Sequence, residues 1–513
     1  MKSITKKIVS SALLSSVLFT TACGSTGEVP TLMNFKNTDA SAVVAMIDAI
    51  PEATLETESA IEAAYAAYSA LEDGTQSQVT NIEKLKILRD EVADLYEDTT
   101  KRGSRVDRSK ILIGTYCLNY WDESHVKEVA DCGIDFVAAA GYSPEFMDNL
   151  AKYGIGAFVS VGNFGYPMWR GGDRAMGSAP LTPPFDAEHF GTFAEKAKTM
   201  DHEAIWGIEL VDEPYTEDFW FYNSLTEKIY ENHEDYQVYI NLFPNYANSS
   251  QLGSATYAEH VDEYVKQVNI DYISYDHYMY QHDSGKRVDF NLGMENMRIV
   301  ADAGRASNKD YWVVVMANSN DPATFTSTDK LRMQANTALA FGYTVINWAC
   351  WNPGWFYNNI VDASGNKTEQ YDKVKLVNSE INTLSPVFMK YKSIDANIIG
   401  AKNSECPSFY SNDDNVIDQN VFMNVSMSKE ATSSVLCGYF EKRIGEGSAM
   451  MFVNITDPMC EEKNSAAVKF KISDPDAVVT EHTSYGSYIL TPDADGNYKI
   501  SVENAEYSFV TVE

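Results

Sequence analysis

Along residues 38 to 101 the apolar positions return every three or four residues, the spacing that gathers side chains on one face of a helix. Three such stripes follow one another. They are Val43, Val44, Met46, Ile47 and Ile50; then Ile61, Ala64, Tyr65, Tyr68 and Leu71; then Val79, Ile82, Leu85, Leu88, Val92, Leu95 and Tyr96. Pro51 stops the first helix, and Thr75-Gln76-Ser77-Gln78 reads as a capping box that opens the third. From about residue 108 the pattern changes, and short apolar runs alternate with amphipathic stretches. The runs are Ile111–Tyr116, Phe136–Ala140, Ala157–Val161, Ile205–Val211, Gln237–Leu242, Tyr272–Tyr275, Trp312–Met316 and Thr344–Trp348. Eight strands with helical spacers over roughly 280 residues have the size and rhythm of an α/β fold, the closed TIM (β/α)8 barrel. Beyond about residue 395 the helical spacing ends. Val435–Phe440, Ala449–Asn454, Ala467–Lys471, Tyr498–Val502 and Tyr507–Val512 then read as strands between turn-rich segments, which predicts an all-β sandwich. The expected organisation is a small three-helix bundle at 38–105, a barrel at 106–392 and a sandwich at 393–513.

The amino terminus adds an address. Lys2, Lys6 and Lys7 precede an apolar stretch from Ile8 to Phe19, and Thr20-Thr21-Ala22 lead to Cys23, the three-part form of an export signal. That stretch is too short for a spanning helix, which wants about 20 residues. Its end resembles the bacterial lipobox, although Thr20 stands where Leu is usual. The resemblance implies a lipoprotein signal at 1–23, lipidation at Cys23 and a polar tether at 24–37, with membrane contact through the lipid alone. The run from Ala64 to Leu71 and the residues after Gln78 also resemble small three-helix modules of bacterial surface proteins, which act as spacers or contact domains.

With Lys and Arg at 40 against Asp and Glu at 73, the net charge of −33 argues against nucleic acid or an anionic membrane surface as partner. A neutral ligand fits better. Six cysteines follow Cys23, scattered and without a Cys-x-x-Cys pair, so neither a metal cluster nor a disulfide scaffold is expected. Most read as buried free thiols, with a disulfide among Cys406, Cys437 and Cys460 left open. No cofactor is implied.

Chemistry concentrates where the apolar runs end. The run Ile205 to Val211 stops in Asp212-Glu213-Pro214, which places two acids at the carboxyl end of strand four, where barrel active sites collect. The plainer reading is an acidic opening of the next helix with proline in its first turn. Strand one leads to Asn119 and Trp121, strand three to Asn163, strand five to Asn241, strand six to Asp276-His277-Tyr278, and strand eight to Asn347-Trp348 and Trp351. Acids and amides bond hydroxyls, and indole or phenol rings offer flat faces to a pyranose, so the set suits a sugar. Each residue has a structural alternative. Asp276-His277-Tyr278 also suits a hydrogen-bonded rim, Trp351, Trp355 and Phe356 also suit loop packing, and Trp169-Arg170 suits a lid or an anchor. Glu209 shares a strand face with Glu213 and reads equally as an interior acid satisfied by Arg332 or a tyrosine. His277 has no second histidine at ligand spacing, so no metal site is expected.

On these residues the barrel resembles the large clan of (β/α)8 glycoside hydrolases that includes cellulase-like and β-galactosidase-like enzymes. Asp212-Glu213-Pro214 stands where that clan carries Asn-Glu-Pro or a variant, which implies Glu213 as general acid/base. Trp348 resembles the aromatic platform beneath the sugar. Retaining members also need a glutamate nucleophile at the end of strand seven, and here that strand runs Trp312 to Asn320 without one. Asn318 occupies the approximate place, and an amide cannot act as that nucleophile. Three explanations follow. Another carboxylate serves, Asp276 first and Asp212 or Glu209 next, with inversion through an activated water if the separation is roughly 6.5–9.5 Å. Or the substrate supplies the nucleophile, as an acetamido sugar can. Or the barrel only binds glycan. The expectation is a lipid-anchored glycoside hydrolase of oligo- or polysaccharides with Glu213 and Asp276 catalytic. Asp212, Asn119, Trp121, Asn163, Asn241, Tyr278, Asn318, Trp348 and Trp351 would then hold the sugar. The alternative is a non-catalytic surface protein for glycan binding or adhesion.

Overall fold

A computed structural model of the chain describes residues 39–53, 57–69, 71, 73–89, 103–164, 196, 199–280, 287–400, 416–428 and 432–513. The expected signal, Cys23 and the tether lie outside these residues, as do Val92, Leu95, Tyr96, Trp169, Arg170 and Cys406. The chain divides into two compact units, Met1–Tyr96 and Glu97–Glu513.

In the first unit, helices Ala40–Asp48 and Glu58–Ser69 bury the stripes read from the sequence, with Val43, Ile47, Ile61, Ala64, Leu71, Leu85 and Leu88 in one core. Asp39 caps the first helix, its Oδ1 accepting from Ala42 N at 2.8 Å. The capping box expected at Thr75 does not form. A one-turn helix, Asp73–Gln76, occupies that place, and the next helical segment begins at residue 82. The reason lies in where the amides go. Gln76 Nε2 reaches back to the Tyr68 and Leu71 carbonyls at 3.3 and 3.1 Å, closing the second helix instead of opening the third. Asn81 sits at the true start and ties it to the first helix, donating to Val44 O at 3.0 Å and Asp48 Oδ1 at 2.9 Å.

In the second unit the eight apolar runs form eight strands: β1 Leu112–Tyr116, β2 Phe136–Ala140, β3 Gly156–Ser160, β4 Ile205–Asp212, β5 Gln237–Leu242, β6 Tyr272–Asp276, β7 Asp310–Met316 and β8 Val345–Ala349. They pair in parallel in chain order, and β8 returns to β1 to close the barrel. Local signals set the helices between them. Ser143 caps Pro144–Lys152 with proline in the first turn, and Thr256 with Glu259 makes a capping box on Tyr257–Gln267. The barrel interior is filled with rings. Tyr272 stacks on Trp312 at 3.8 Å between centroids, and Phe136 meets Phe158 edge-on at 5.4 Å. A packed interior leaves the carboxyl-terminal mouth as the place for chemistry.

Ten further strands follow: β9 Tyr391–Gly400, β10 Val416–Gln419, β11 Phe422–Met427, β12 Ser434–Lys442, β13 Ser448–Asn454, β14 Ser465–Ile472, β15 Val479–Thr483, β16 Gly486–Ile489, β17 Tyr498–Glu503 and β18 Tyr507–Val512. They make two antiparallel sheets, ordered β10-β11-β14-β17 and β16-β15-β18-β13-β12-β9. β14 and β17 alternate buried and exposed, as strands with one wet face do. β12 and β13 are buried nearly throughout, because their outer face packs on the barrel helix Thr328–Phe341. The approach is close enough that a Cβ at Gly438 would lie 1.9 Å from the Ala340 carbonyl oxygen.

Candidate active site

Parallel register builds the centre of the site. Asp212 on β4 lies opposite Asn241 on β5, and Asn241 lies opposite Ser274 on β6, two residues before Asp276 on the same face. Asn241 is 2% exposed, and its amide donates to Asp212 Oδ1 at 3.2 Å and Asp276 Oδ1 at 2.9 Å. Its carbonyl accepts from Ser274 Oγ at 2.9 Å, which fixes the amide's orientation. Behind it Ser274 Oγ meets Tyr239 OH at 3.1 Å, and the Tyr239 ring lies 6.3 Å from that of Tyr116. A buried polar chain therefore runs beneath the acids across β4, β5 and β6.

Glu213 follows β4 directly. Its N–H extends the ladder by donating to Asn241 O at 2.7 Å, and its φ of +51° turns the chain away before Pro214. A left-handed conformation at a residue other than glycine is held only by its surroundings, and such positions gather at functional sites. Glu213 and Asp212 are half-buried, whereas Asp276 is 5% exposed. Burial first, then the negative charges of Glu213 and Asp212, push the Asp276 carboxyl well above the usual range, against the opposing bond from Asn241. Three carboxyls thus share one mouth, and the surroundings of the deepest favour its protonated form.

Glu209, fully buried one turn of the strand face below, is not partnered by Arg332. That guanidinium forks onto Glu380 at 2.6 and 2.8 Å and reaches Asp329 at 2.9 Å. The Glu209 charge acts on the Tyr116 and Tyr239 phenols, which burial chiefly raises and that charge raises further.

An aromatic wall stands above the acids. Tyr278 meets Phe356 edge-on at 5.6 Å and lies 6.2 Å from Trp355, and Tyr246 packs 5.2 Å from the His277 ring. Trp355 and Tyr246 are exposed. The expected platform is elsewhere. Trp348 is 0% exposed and its indole donates to Asn378 Oδ1 at 2.8 Å, facing the helix Glu369–Phe388. Alternation along β8 decides this: Asn347 points into the barrel toward Tyr239, so its neighbour Trp348 points out. Trp351 is likewise buried, edge-on to Tyr371 at 5.9 Å. Neither indole offers a face to a ligand.

Two expected sugar-binding amides are pins for the loops. Asn318 is buried and donates to Trp355 O and Asn359 Oδ1, both at 3.0 Å, which holds the loop after β8. Asn163 donates to Ala140 O at 3.3 Å and Ser160 O at 3.0 Å and accepts from Tyr142 N at 3.2 Å. Asn119 is exposed, and its N–H donates to Asn352 Oδ1 at 2.8 Å. Trp121, 37% exposed, stacks on Phe146 at 5.1 Å. The structure thus brings together Asp212, Glu213, Asn241, Asp276 and Tyr278. Tyr116, Tyr239 and Ser274 were missed, although Tyr239 with Asn241 and Ser274 with Asp276 stand two apart, a spacing that puts each pair on one strand face. Among the described residues, no group of three or more His, Cys, Asp or Glu side chains is arranged to hold a metal ion.

A closed eight-stranded parallel barrel followed by antiparallel sheets is the architecture of the (β/α)8-barrel glycoside hydrolases, and this chain shares their fold. It superposes on a catalytic mutant of a GH42 beta-galactosidase from G. stearothermophilus with a TM-score of 0.50 at 9% identity, over 81% of this chain and 100% of that one. A family 51 alpha-L-arabinofuranosidase from Bifidobacterium longum gives 0.42 at 9% identity, over 80% and 97% of the two chains. The endo-beta-1,4-mannanase from Thermotoga petrophila gives 0.39 at 9%, over 79% and 92%. At such identities the likeness is one of fold. No protein-family model and no curated protein sequence matches the chain.

Proposed function

We propose that the protein hydrolyses an O-glycosidic bond of an oligo- or polysaccharide at the barrel mouth. The observation that supports this most is the trio Asp212, Glu213 and Asp276, joined through Asn241, with the Asp276 carboxyl pushed well above its usual range by burial and by Glu213 and Asp212. Environments that push neighbouring acids apart are how one site keeps an acid and a base at the same pH. The pair holds one proton when a sugar binds. Glu213 gives it to the leaving oxygen while the Asp276 carboxylate takes a proton from the attacking water, and exchange with solvent returns a proton to Glu213 before the next turnover. The cycle ends in the protonation state in which it began. The missing acid on β7 argues for water, or a group of the sugar itself, as nucleophile. The aromatic wall of Tyr246, Tyr278 and Trp355 suits a pyranose face.

A glycan panel with product anomers read by NMR tests the reading. Release of reducing ends by the wild-type protein, lost about 100-fold or more in Glu213→Gln, is the expected result. Saturable binding with no release on any glycan would favour the second reading, a glycan-binding surface protein. Its motivating observation is Asn318, an amide tied into the loop where retaining enzymes place an acid. The export signal and Cys23 anchor extend this proposal, placing the barrel outside the cell on a lipid tether.

A further inference from the structure

We infer that Cys117 and Cys350 form a dithiol that oxidises to a disulfide across the barrel mouth. β1 and β8 pair in parallel as far as Thr115 opposite Trp348, and Cys117 and Cys350 each stand one residue beyond the carboxyl ends of these neighbouring strands. Past the strands the backbone bonds go on with the register moved by one residue, from Trp351 N–H to Tyr116 O at 2.9 Å and from Asn352 N–H to Cys117 O at 3.2 Å, which makes the two cysteines diagonal neighbours. Neighbouring strands lie about 4.7–4.9 Å apart, inside the roughly 4.4–6.8 Å that a disulfide needs between Cα atoms. The side chains converge as well. A Cβ built on Gly354 would lie 3.4 Å from Cys117 Sγ and 3.5 Å from Cys350 Sγ, so both sulfurs border the same small space. Closure therefore joins two sulfurs that already flank one glycine.

The other described cysteines are held apart from this pair. Cys132 Sγ turns to Tyr371 O, Cys437 Sγ to Val435 O and Cys460 Sγ to Pro458 O. The disulfide left open for Cys437 or Cys460 is absent, since both are free thiols. Accessibility sets the order of events, because Cys117 is half-buried and Cys350 is buried. The Cys117 thiolate attacks one sulfur of an external low-molecular-weight disulfide, breaking its S–S bond and expelling the first thiolate. Cys350 then attacks Cys117 sulfur in the mixed disulfide, and its proton goes to the departing second thiolate. One external disulfide is reduced to two thiols as the pair is oxidised. The product leashes β1 to the loop after β8 that carries Trp355 and Phe356, the rings that face Tyr278.

Full-length protein, first reduced and then equilibrated across a glutathione disulfide/glutathione series, provides the test, read by intact mass and peptide mapping. The expected result is loss of two hydrogens and one crosslinked peptide joining Cys117 to Cys350, with an upward shift in melting temperature. Cys117→Ser and Cys350→Ser each lose the crosslink. The inference is overturned if both thiols of the wild-type protein stay alkylatable at every ratio. A crosslink to a different cysteine, or a glutathione adduct on Cys117 that never resolves, overturns it equally.

Discussion

Replacing Asp276 by Asn isolates the buried proton from everything else in the site. Asp276 is 5% exposed, accepts from Asn241 at 2.9 Å and has its pKa raised by burial and by Glu213 and Asp212. An amide at this position accepts the same bond and cannot ionise. Between the unfolded-chain value of about 3.9 and the raised folded value, the folded protein keeps a proton that the unfolded chain has released. Stability of the wild-type protein therefore falls as pH rises through that window, by up to about 1.4 kcal/mol per pH unit, and levels off above the folded pKa. Asp276→Asn lacks this term. Near pH 4 the two proteins should differ by about 0.5 kcal/mol or less, the usual scale of a substitution that breaks no contact. The variant's advantage should then grow with pH. Urea unfolding of both proteins across a pH series reads the difference directly. Parallel stability curves, or a variant less stable at neutral pH, would show that Asp276 is ionised in the fold and that the shared-proton reasoning is wrong.

Other outcomes follow from the same contacts. Trp348→Phe removes the donor to Asn378 Oδ1 and should cost about 1–3 kcal/mol of stability by urea unfolding, with sugar affinity unchanged; an affinity loss at full stability would restore Trp348 as a platform. Asn318→Asp sets a carboxylate against the Trp355 carbonyl and Asn359 Oδ1, so it should destabilise by about 3 kcal/mol or more and should not create a retaining enzyme, as melting curves and product anomers would show. Cys23→Ala should move the protein from the detergent phase to the aqueous phase in Triton X-114 partition of expressing cells, and no change would refute the anchor.

Much of the fold was legible because burial leaves a periodic trace. The eight apolar runs became β1–β8 within a residue or two, since each strand is covered on both faces and cannot carry polar interruptions. The ends of the strands were less legible. Asp212, Glu213 and Asp276 stand out as acids after apolar runs, whereas Tyr239 and Ser274 sit inside runs, where burial hides their polar work. Trp348 was misplaced because a strand-end aromatic was taken by type, although the alternation with Asn347 already turns it toward the outer helices. Thr75 to Gln78 failed for a related reason. The capping pattern is local, and Gln76 found better partners on the preceding helix.

The central claim is that Glu213 delivers a proton to a glycosidic oxygen. Initial rates of reducing-end release by Glu213→Gln and wild-type protein, on the glycan that wild type cleaves best and at matched melting temperature, test it most directly. The account predicts a fall of about 100-fold or more. A variant as fast as wild type would contradict it.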